Sequence, residues 1–317
     1  MYSPYVPEKF CREFVEVKRN SSQISLIMAT VLGHKPLMDD WVPREALPDY
    51  LEICARYGLH ARVDALFVGV PRTRIPDSIV GREYITSTSA FGAPVEADIE
   101  GQAHVFLSKR KELLLHGMWY PLIIRGRVIQ QPRADTLRYG SYLGYPECCI
   151  SFFRFYNNWK RYSFLYEIHR NTRGGAPPHY LCNPLTKDSV YSYIYHMPCS
   201  WRCRATIRQA EAFRKALLAL EPEFVRRTDK ALRLPYLVFY ERHIYGFRGV
   251  IKGNRLHYQE AYSADLVTAP QSYLPQLREG DSLVVEGETV KVFKGKDHLA
   301  DLQGNSTLEK PFLIQFK

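Results

Sequence analysis

Hydrophobic and polar positions predict helices in the first part of the chain. Residues 23–32 form an amphipathic run that Ser21 or Ser22 can cap, and residues 43–57 form a second run that starts at Pro43 and closes at Gly58. Proline at the start and glycine past the end are the expected asymmetry of a helix. The apolar run at residues 63–70, which contains β-branched side chains, predicts a buried strand.

Glycine and proline punctuate residues 71–103, which predicts loops and short strands. The pattern then predicts a strand at residues 104–107, a helix at residues 109–116 and another strand at residues 121–129. This succession predicts a small α/β layer with parallel pairing. The region holds neither a dinucleotide glycine fingerprint nor a Walker loop, so a Rossmann cofactor is not supported.

The sequence pattern predicts mainly helices over residues 134–222. Ala210, Phe213, Leu217 and Leu220 recur every three or four positions, as in an amphipathic helix that ends at Pro222. From Leu232 onward, short alternating runs between turn residues predict antiparallel strands. We therefore expect an α+β fold with a helical and α/β region at 1–133, a cysteine-rich helical region at 134–228 and a small antiparallel β domain at 229–317.

Composition places the chain among folded globular proteins, because 46% of its 317 residues are hydrophobic and 24% are charged. No run approaches the roughly 20 apolar residues of a membrane helix. The apolar run at residues 24–32 is too short and too far from the start for a secretory signal. Seven cysteines, an odd number, favour reduced thiols and metal ligation over a disulfide framework, so we expect a cytoplasmic protein.

The net charge of +10 permits an anionic small-molecule or nucleic-acid substrate and gives no reason to expect a membrane partner. Arginines surround the cysteine motifs: Arg125, Arg127, Arg133 and Arg138 precede them, Arg202 lies inside the second motif, and Arg204, Arg208 and Arg214 follow it. Scattered arginine usually marks a solvated surface. The alternative is that Arg138, Arg202 and Arg204 bind an anionic substrate or cofactor.

Five of the seven cysteines lie between residues 145 and 203. Cys199 and Cys203 are four residues apart, so they share one face if a helix begins near Pro198, and the amides at such a helix start stabilise thiolates. The adjacent Cys148 and Cys149 point about 100 degrees apart in a regular helix. One of them can therefore ligate while the other packs, reacts or donates sulfur, or both can ligate a multi-iron cluster in a non-helical backbone.

Cys182 lies in a sequence typical of a loop and is a further candidate ligand, and His196 and His179 are the nearest nitrogen candidates. Each histidine taken singly is more often a hydrogen-bonded structural residue. Cys11 and Cys54 lie in predicted amphipathic helices, where packing explains them. Aromatic residues are dense around the motifs and either form a core, shield a cluster or stack on bases.

Zinc fingers usually contain tight C-x₂-C knuckles, and their absence favours an iron–sulfur cluster over Zn²⁺. The C-x₃-C-x₂-C loop of radical SAM enzymes is also absent. The vicinal cysteines are similar to the ligand sets of vicinal-cysteine epoxyqueuosine reductases and of the CCG domains of heterodisulfide reductase, although the surrounding motifs differ.

The motif at residues 143–149, Leu-Gly-Tyr-Pro-x-Cys-Cys, followed by Phe152-Phe153 and by His196-x-Pro198-Cys199-Ser200-x₂-Cys203, resembles a prokaryotic family known as domain of unknown function 483. The resemblance covers roughly residues 137–213. It implies that Cys148, Cys149, Cys199 and Cys203 act together, and it implies no activity.

These patterns predict an enzyme with a metal centre, expected to be a 4Fe-4S cluster, that performs redox or sulfur-transfer chemistry on an anionic substrate with an unidentified electron donor. The predicted ligands are Cys148, Cys149, Cys182, Cys199, Cys203 and His196, with Cys148 and Cys149 as catalytic residues. One alternative is a non-catalytic zinc-stabilised module that binds RNA or an acidic protein. Another is a metal-free enzyme that uses Cys148 or Cys149 as nucleophile.

Overall fold

The structure is a computed structural model. It describes residues 10–18, 23–69, 84–87, 90–93, 101–116, 122–124, 127–130, 136–159, 163–186, 190–240, 243–264, 273–303 and 310–317. Contacts divide these residues into two compact units, one within Glu8–Ile150 and the other within Ser151–Lys317. The predicted boundaries at residues 133 and 228 stay predictions, because contacts do not show which segments fold alone.

Among the described residues of Glu8–Ile150, short helices accompany one antiparallel sheet. The helices are α1 (Phe10–Lys18), α2 (Ile24–Val31), α3 (Leu47–Arg56) and α4 (Thr136–Tyr142), with 3₁₀ helices at Arg44–Ala46 and Lys111–His116. The strands are β1 (Met38–Pro43), β2 (His60–Gly69), β3 (Tyr84–Ser87), β4 (Ala90–Ala93), β5 (Gln102–Ser108), β6 (Leu122–Ile124) and β7 (Arg127–Gln130). Helix α5 (Glu147–Trp159) is continuous across the division at Ile150.

The strand order in this sheet is β1-β5-β2-β4-β3-β6-β7, and every recorded pairing is antiparallel. The predicted parallel pairing is therefore wrong. Strand β5 is hydrogen-bonded to β1 on one edge and to β2 on the other, so neither edge is left for β6, which pairs with β3 and β7. The helix predicted at 109–116 is a 3₁₀ helix at Lys111–His116. The helix predicted at 43–57 is confirmed from Leu47, after a 3₁₀ turn.

A buried ion pair lies in the core beside this sheet. The Nζ of Lys18 on α1 donates to both carboxylate oxygens of Asp40 on β1, at 2.7 and 2.6 Å, and the hydroxyl of Tyr50 on α3 donates to Oδ2 at 2.7 Å. The side chains of Lys18 and Asp40 are 0% and 1% exposed. The pair thus ties α1, β1 and α3 together through groups that water does not reach.

Among the described residues of Ser151–Lys317, helices precede a second antiparallel sheet. The helices are α6 (Phe164–Asn171), α7 (Arg204–Leu220), α8 (Pro222–Leu232) and α9 (Leu274–Glu279), with a 3₁₀ helix at Tyr180–Cys182. The strands are β8 (Pro235–Tyr240), β9 (His243–Lys252), β10 (Arg255–Ser263), β11 (Ser282–Glu286), β12 (Thr289–Lys294), β13 (Asp297–Gln303) and β14 (Phe312–Gln315). The sheet order is β13-β12-β11-β10-β9-β8-β14.

This second sheet confirms the predicted antiparallel β region, and with it the α+β class. All its recorded pairings are antiparallel, and its inner face packs into one apolar cluster with Leu277 of α9. Helix α7 buries Ala210, Phe213 and Leu217 as predicted, whereas Leu220 at its last turn is exposed. Pro222 does not simply end this helix, because it also begins α8, which the sequence pattern did not indicate.

The prediction that residues 134–222 are mainly helical is only partly correct, because the described residues between Asn183 and Cys203 form no helix. None of the described helices combines the length and apolar character that crossing a lipid bilayer requires.

The Lys18–Asp40 pair generates a stability prediction. Replacing Asp40 with Ala should lower the free energy of unfolding by about 3–5 kcal/mol, because it leaves a buried ammonium without its carboxylate. Replacing Arg56, which is 54% exposed and pairs with Glu13 at 3.2 Å, with Ala should cost less than about 1 kcal/mol. Urea unfolding of the three proteins measures both effects.

If the Asp40→Ala variant does not fold, the double variant Lys18→Met/Asp40→Leu should restore a folded protein, because it removes both charges together. Equal losses for the Asp40 and Arg56 variants would contradict this account of the core.

Candidate metal centre

The end of α4 and the start of α5 determine the position of the first cysteine pair, Cys148 and Cys149. Helix α4 ends in a Schellman motif, in which Tyr145 N donates to Gly140 O and Gly144 N donates to Ser141 O, each at 2.9 Å. Gly144 has a φ of 74°, which glycine adopts without strain. Pro146 then accepts the first hydrogen bonds of α5, from Cys149 N and Ile150 N at 2.9 and 3.0 Å. The Gly-Tyr-Pro sequence is thus a turn that delivers both cysteines to the first turn of α5.

A lysine from another part of the same unit holds this turn. The Nζ of Lys35 donates to Leu143 O at 2.8 Å and lies 4.3 Å from the ring centroid of Tyr145. Lys35 is 5% exposed, and burial lowers its pKa to about 7 although the Asp39 carboxylate opposes the shift. The ammonium therefore meets a carbonyl dipole and an aromatic face in place of water.

Asp39 in turn belongs to a polar row around the buried His104. The ring of His104 lies between Asp39 and Asp64, with each ring nitrogen 3.1 Å from a carboxylate oxygen, and Trp41 stacks on the ring at 4.5 Å. Burial alone lowers the pKa of His104, but the hydrogen bonds and charges of the two carboxylates raise it overall. The hydrogen bond and charge of His104 likewise outweigh burial and lower the pKa of Asp39. These charges hold β1, β5 and β2 in register beside Lys35.

The second cysteine pair lies in a segment that has no regular structure. Asn171 Nδ2 donates to Cys199 O at 2.6 Å, and Trp201 N donates to Thr172 Oγ1 at 2.9 Å. Trp201 O accepts from His179 N, also at 2.9 Å. These bonds hold the backbone of residues 199–201 against the segments near residues 171 and 179.

The condition for a shared helix face, a helix start near Pro198, is not met. Helix α7 begins at Arg204, and Cys203 is its N-cap residue, whose carbonyl accepts the first helical bond from Ile207 N at 2.9 Å. Cys199 and Cys203 are not one turn apart on a helix face. Only Cys203 is at a helix start.

Trp201 anchors this segment. Its side chain is 1% exposed, its Nε1 donates to His169 Nδ1 at 3.3 Å, and its ring meets Phe316 edge-on at 5.5 Å. Burial lowers the pKa of His169, in keeping with a neutral ring whose Nδ1 accepts this bond. The two cysteines on either side of Trp201 are thus held by a buried indole.

The structure brings four of the predicted ligands together. The Sγ atoms of Cys148, Cys149, Cys199 and Cys203 all lie within 4.8 Å of one another, and those of Cys148 and Cys149 are 3.9 Å apart. Cys149 and Cys203 are buried, Cys199 is half-buried and Cys148 is exposed. None of the six cysteines whose side chains are described forms a disulfide. The chain therefore carries a cluster of four reduced thiols at a distance compatible with metal binding.

The adjacent pair contributes two thiols from one helix turn. The sequence argument allowed both to ligate only from a non-helical backbone, yet both belong to α5 and both thiols join the group of four.

The structure does not bring Cys182 and His196 into the group of four. The Sγ of Cys182 donates to Cys203 O at 3.5 Å, and His196 Nε2 is 2.9 Å from Thr206 Oγ1. Both residues are buried, so they support the backbone of Cys203 and the first turn of α7. His179 accepts from Leu181 N at 3.2 Å.

The predicted arginines occupy different places. Arg202 and Arg204 flank Cys203, and Arg138 is exposed on α4. Arg125, Arg133 and the side chains of Arg127 and Cys11 lie outside the described residues. Cys54 is fully buried, as the packing interpretation predicted, and burial raises the pKa of its thiol to about 12.

The positioning residues Lys35, Asn171 and Thr172 were not found from the sequence. No spacing rule marks them, because their partners lie far away in the chain. Trp201 was noted only as one of many aromatic residues.

Together the fold and the site define an α+β protein with a tetracysteine cluster. No family model matches the chain, and neither a curated protein nor a solved structure matches it significantly. The resemblance to domain of unknown function 483 stays a prediction.

The buried Lys35 generates a pH prediction. The folded protein binds this proton less tightly than the unfolded chain, so stability should rise with pH above about 7. Relative to a Lys35→Met variant, the wild type should gain roughly 2 kcal/mol between about pH 7 and about pH 8.5. Urea unfolding at the two pH values measures this difference.

A Lys109→Met variant is the matched control, because Lys109 is exposed and its loss should change stability equally at both pH values. A Lys35→Met variant whose stability runs parallel to the wild type over this range would show that the lysine is not held in this environment.

Proposed function

We propose that Cys148, Cys149, Cys199 and Cys203 bind one Zn²⁺ ion in tetrahedral coordination. The observation that carries this proposal is that all four Sγ atoms lie within 4.8 Å of one another. A tetrahedral Zn²⁺ ion with Zn–S bonds of about 2.3 Å sets its sulfur atoms about 3.8 Å apart. The 3.9 Å between the sulfurs of Cys148 and Cys149 fits this spacing.

The spacing supports a single ion over the 4Fe-4S cluster expected from the sequence. In a cubane cluster each thiolate bonds to a different iron atom, so its sulfurs stand farther apart than four sulfurs around one ion. A 4Fe-4S cluster that performs redox or sulfur-transfer chemistry is the competing proposal for the same four thiols.

The surroundings favour thiolates. Cys148 and Cys149 lie in the first turn of α5, and Cys203 is the N-cap residue of α7. Helix starts carry a partial positive charge from their unbonded amides, which stabilises nearby thiolates. Arg202 and Arg204 add positive charge on both sides of Cys203. The excess negative charge of four thiolates around a divalent ion is compensated in this way.

A site with four protein sulfurs leaves no open position for substrate. Closed zinc sites of this composition stabilise folds, whereas catalytic sites keep one position for water or substrate. We therefore infer a structural centre that joins the first turn of α5 to the segment ahead of α7. This inference corresponds to the zinc-stabilised module among the alternatives that the sequence left open.

The exposure of Cys148 favours a second candidate, a thiol nucleophile in a protein without metal. Stoichiometric alkylation of Cys148 in protein shown to be free of metal would support it. Protection of Cys148 from alkylation until a chelator is added would support the zinc site.

The first test is elemental analysis of protein purified without oxygen, with assay of acid-labile sulfide. The wild type should contain one zinc per chain and no sulfide, and Cys203→Ser or Cys149→Ser should lose the zinc because three sulfurs hold it more weakly. Cys182→Ser and Cys54→Ser are matched controls, since both remove a buried thiol outside the group of four and should keep the zinc.

Iron with sulfide in the wild type would replace the zinc proposal with the cluster enzyme. Full zinc retention by Cys149→Ser and Cys203→Ser would contradict the four-cysteine site. Zinc loss by Cys182→Ser alone among the controls would restore Cys182 as a ligand.

A further inference from the structure

An arginine face adjoins the second cysteine pair. We define it by Arg173, Arg202, Arg204 and Arg208. The first, third and fourth are exposed and Arg202 is half-buried. Arg204 and Arg208 lie four residues apart on α7 and therefore share a helix face. The face belongs wholly to the unit within Ser151–Lys317.

Hydrogen bonds hold the two halves of this face together. Arg202 Nη2 donates to Gly174 O at 3.4 Å, next to Arg173. The bonds from Asn171 to Cys199 and from Trp201 to Thr172 join the same two segments, so their backbones are fixed side by side. The segments that carry Arg173 and Arg202 are therefore held next to each other, and Arg204 follows directly at the start of α7.

The face has no acidic counterpart among the described residues. Between Glu167 and Glu211 the sequence contains one carboxylate side chain, Asp188, which lies outside the described residues. Glu167 is buried and pairs with Arg170 at 3.5 Å, while Glu211 lies 3.9 Å from Arg214. No described carboxylate lies within ion-pair distance of the four arginines.

Some arginines elsewhere in the same unit pair with carboxylates. Arg214 forms a two-pronged pair with Asp229, with contacts as short as 2.6 Å. Arg226 and Arg227 both bond to Glu223, at 2.7 and 2.6 Å. The arginine face differs from these sites because its four members have no ion pair with a described carboxylate, and it lies next to Cys199 and Cys203 in the chain.

We propose that the arginine face binds the phosphate backbone of single-stranded RNA. Guanidinium groups match phosphate oxygens in two-pronged geometry, and several exposed cations on one surface suit a chain of phosphates better than a single anion in a pocket. The exposed Gly174-Gly175 backbone beside Arg202 lets a strand approach closely, since nothing lies within 4 Å of a Cβ built on Gly175. The contacts are to phosphates, so binding is independent of sequence.

This inference rests on the proposed function, because the metal ion would fix the Cys199–Cys203 segment that carries part of the face. Bound RNA would follow this segment and the first turns of α7. An acidic protein segment presents carboxylates to the same guanidinium groups, and the experiment separates the two partners.

The test uses fluorescence anisotropy of a labelled single-stranded RNA of about 20 nucleotides, in salt from about 50 to about 300 mM. The variant Arg204→Gln/Arg208→Gln should weaken binding at least about tenfold and reduce the slope of log affinity against log salt by about 1.4, for two lost phosphate contacts. The control Arg226→Gln/Arg227→Gln removes the same charge from α8 and should change affinity less than about twofold, because both arginines already pair with Glu223.

Equal losses in both double variants would overturn the proposal, because they would reflect net charge alone. Absence of RNA binding by the wild type at the lowest salt would overturn it too. Competition by polyglutamate as effective as unlabelled RNA would assign the face to an acidic protein instead.

Zinc analysis of the same samples separates this inference from the proposed function. Arg204→Gln/Arg208→Gln should keep its zinc while it loses RNA. A zinc-loaded wild type that does not bind RNA would overturn this inference alone, and a zinc-free wild type that binds RNA with the expected variant pattern would overturn the zinc site alone.

Discussion

The tetracysteine cluster depends on a non-helical stretch of backbone that bonds to other segments of the chain. The amide and carbonyl groups around Trp201 bond to Thr172, His179 and Asn171, so the chain runs irregularly up to Cys203 before α7 begins. If α7 started five residues earlier, Cys199 and Cys203 would stand one helical turn apart instead of on the irregular path seen here. The side-chain amide of Asn171 and the hydroxyl of Thr172 therefore decide the geometry of sulfur atoms that they do not touch.

The first cysteine pair is positioned differently, because local capping of two helices and one tertiary hydrogen bond both fix the same turn. The Schellman motif at Gly144 stops α4, Pro146 opens α5, and Lys35 fastens the turn between them. A buried lysine is costly, and here its cost is offset by Leu143 O, the Tyr145 ring and the nearby Asp39 carboxylate. The Asp39–His104–Asp64 row and the Lys18–Asp40 pair make the same unit rich in buried charge.

Features with a local cause were predictable from the sequence. The helix closed by Gly58, the amphipathic face of α7 and the hairpins of the second sheet follow from periodicity and turn residues. The four clustered cysteines were also recognised from their motifs, because thiols grouped within short segments rarely serve packing alone. Such features need no knowledge of distant contacts.

Features with a distant cause were not predictable in this way. The antiparallel pairing of β5 depends on β1 and β2, which occupy both of its edges, and the late start of α7 depends on residues near position 171. Cys182 was a candidate ligand because it lies in a sequence typical of a loop. In the structure its thiol donates to the carbonyl oxygen of Cys203. Periodicity describes what a segment prefers alone, and here tertiary hydrogen bonds override that preference.

The segment around Cys199 and Cys203 also contacts residues that come after the whole second sheet in the chain. Lys317 N donates to Pro178 O, Tyr180 N donates to Lys317 O, and the ring of Phe316 packs edge-on against Trp201. The ribosome adds these partners only after β8 to β14 have been synthesised. During synthesis, then, the segment that carries Cys199 and Cys203 lacks these contacts until the chain has passed Phe316.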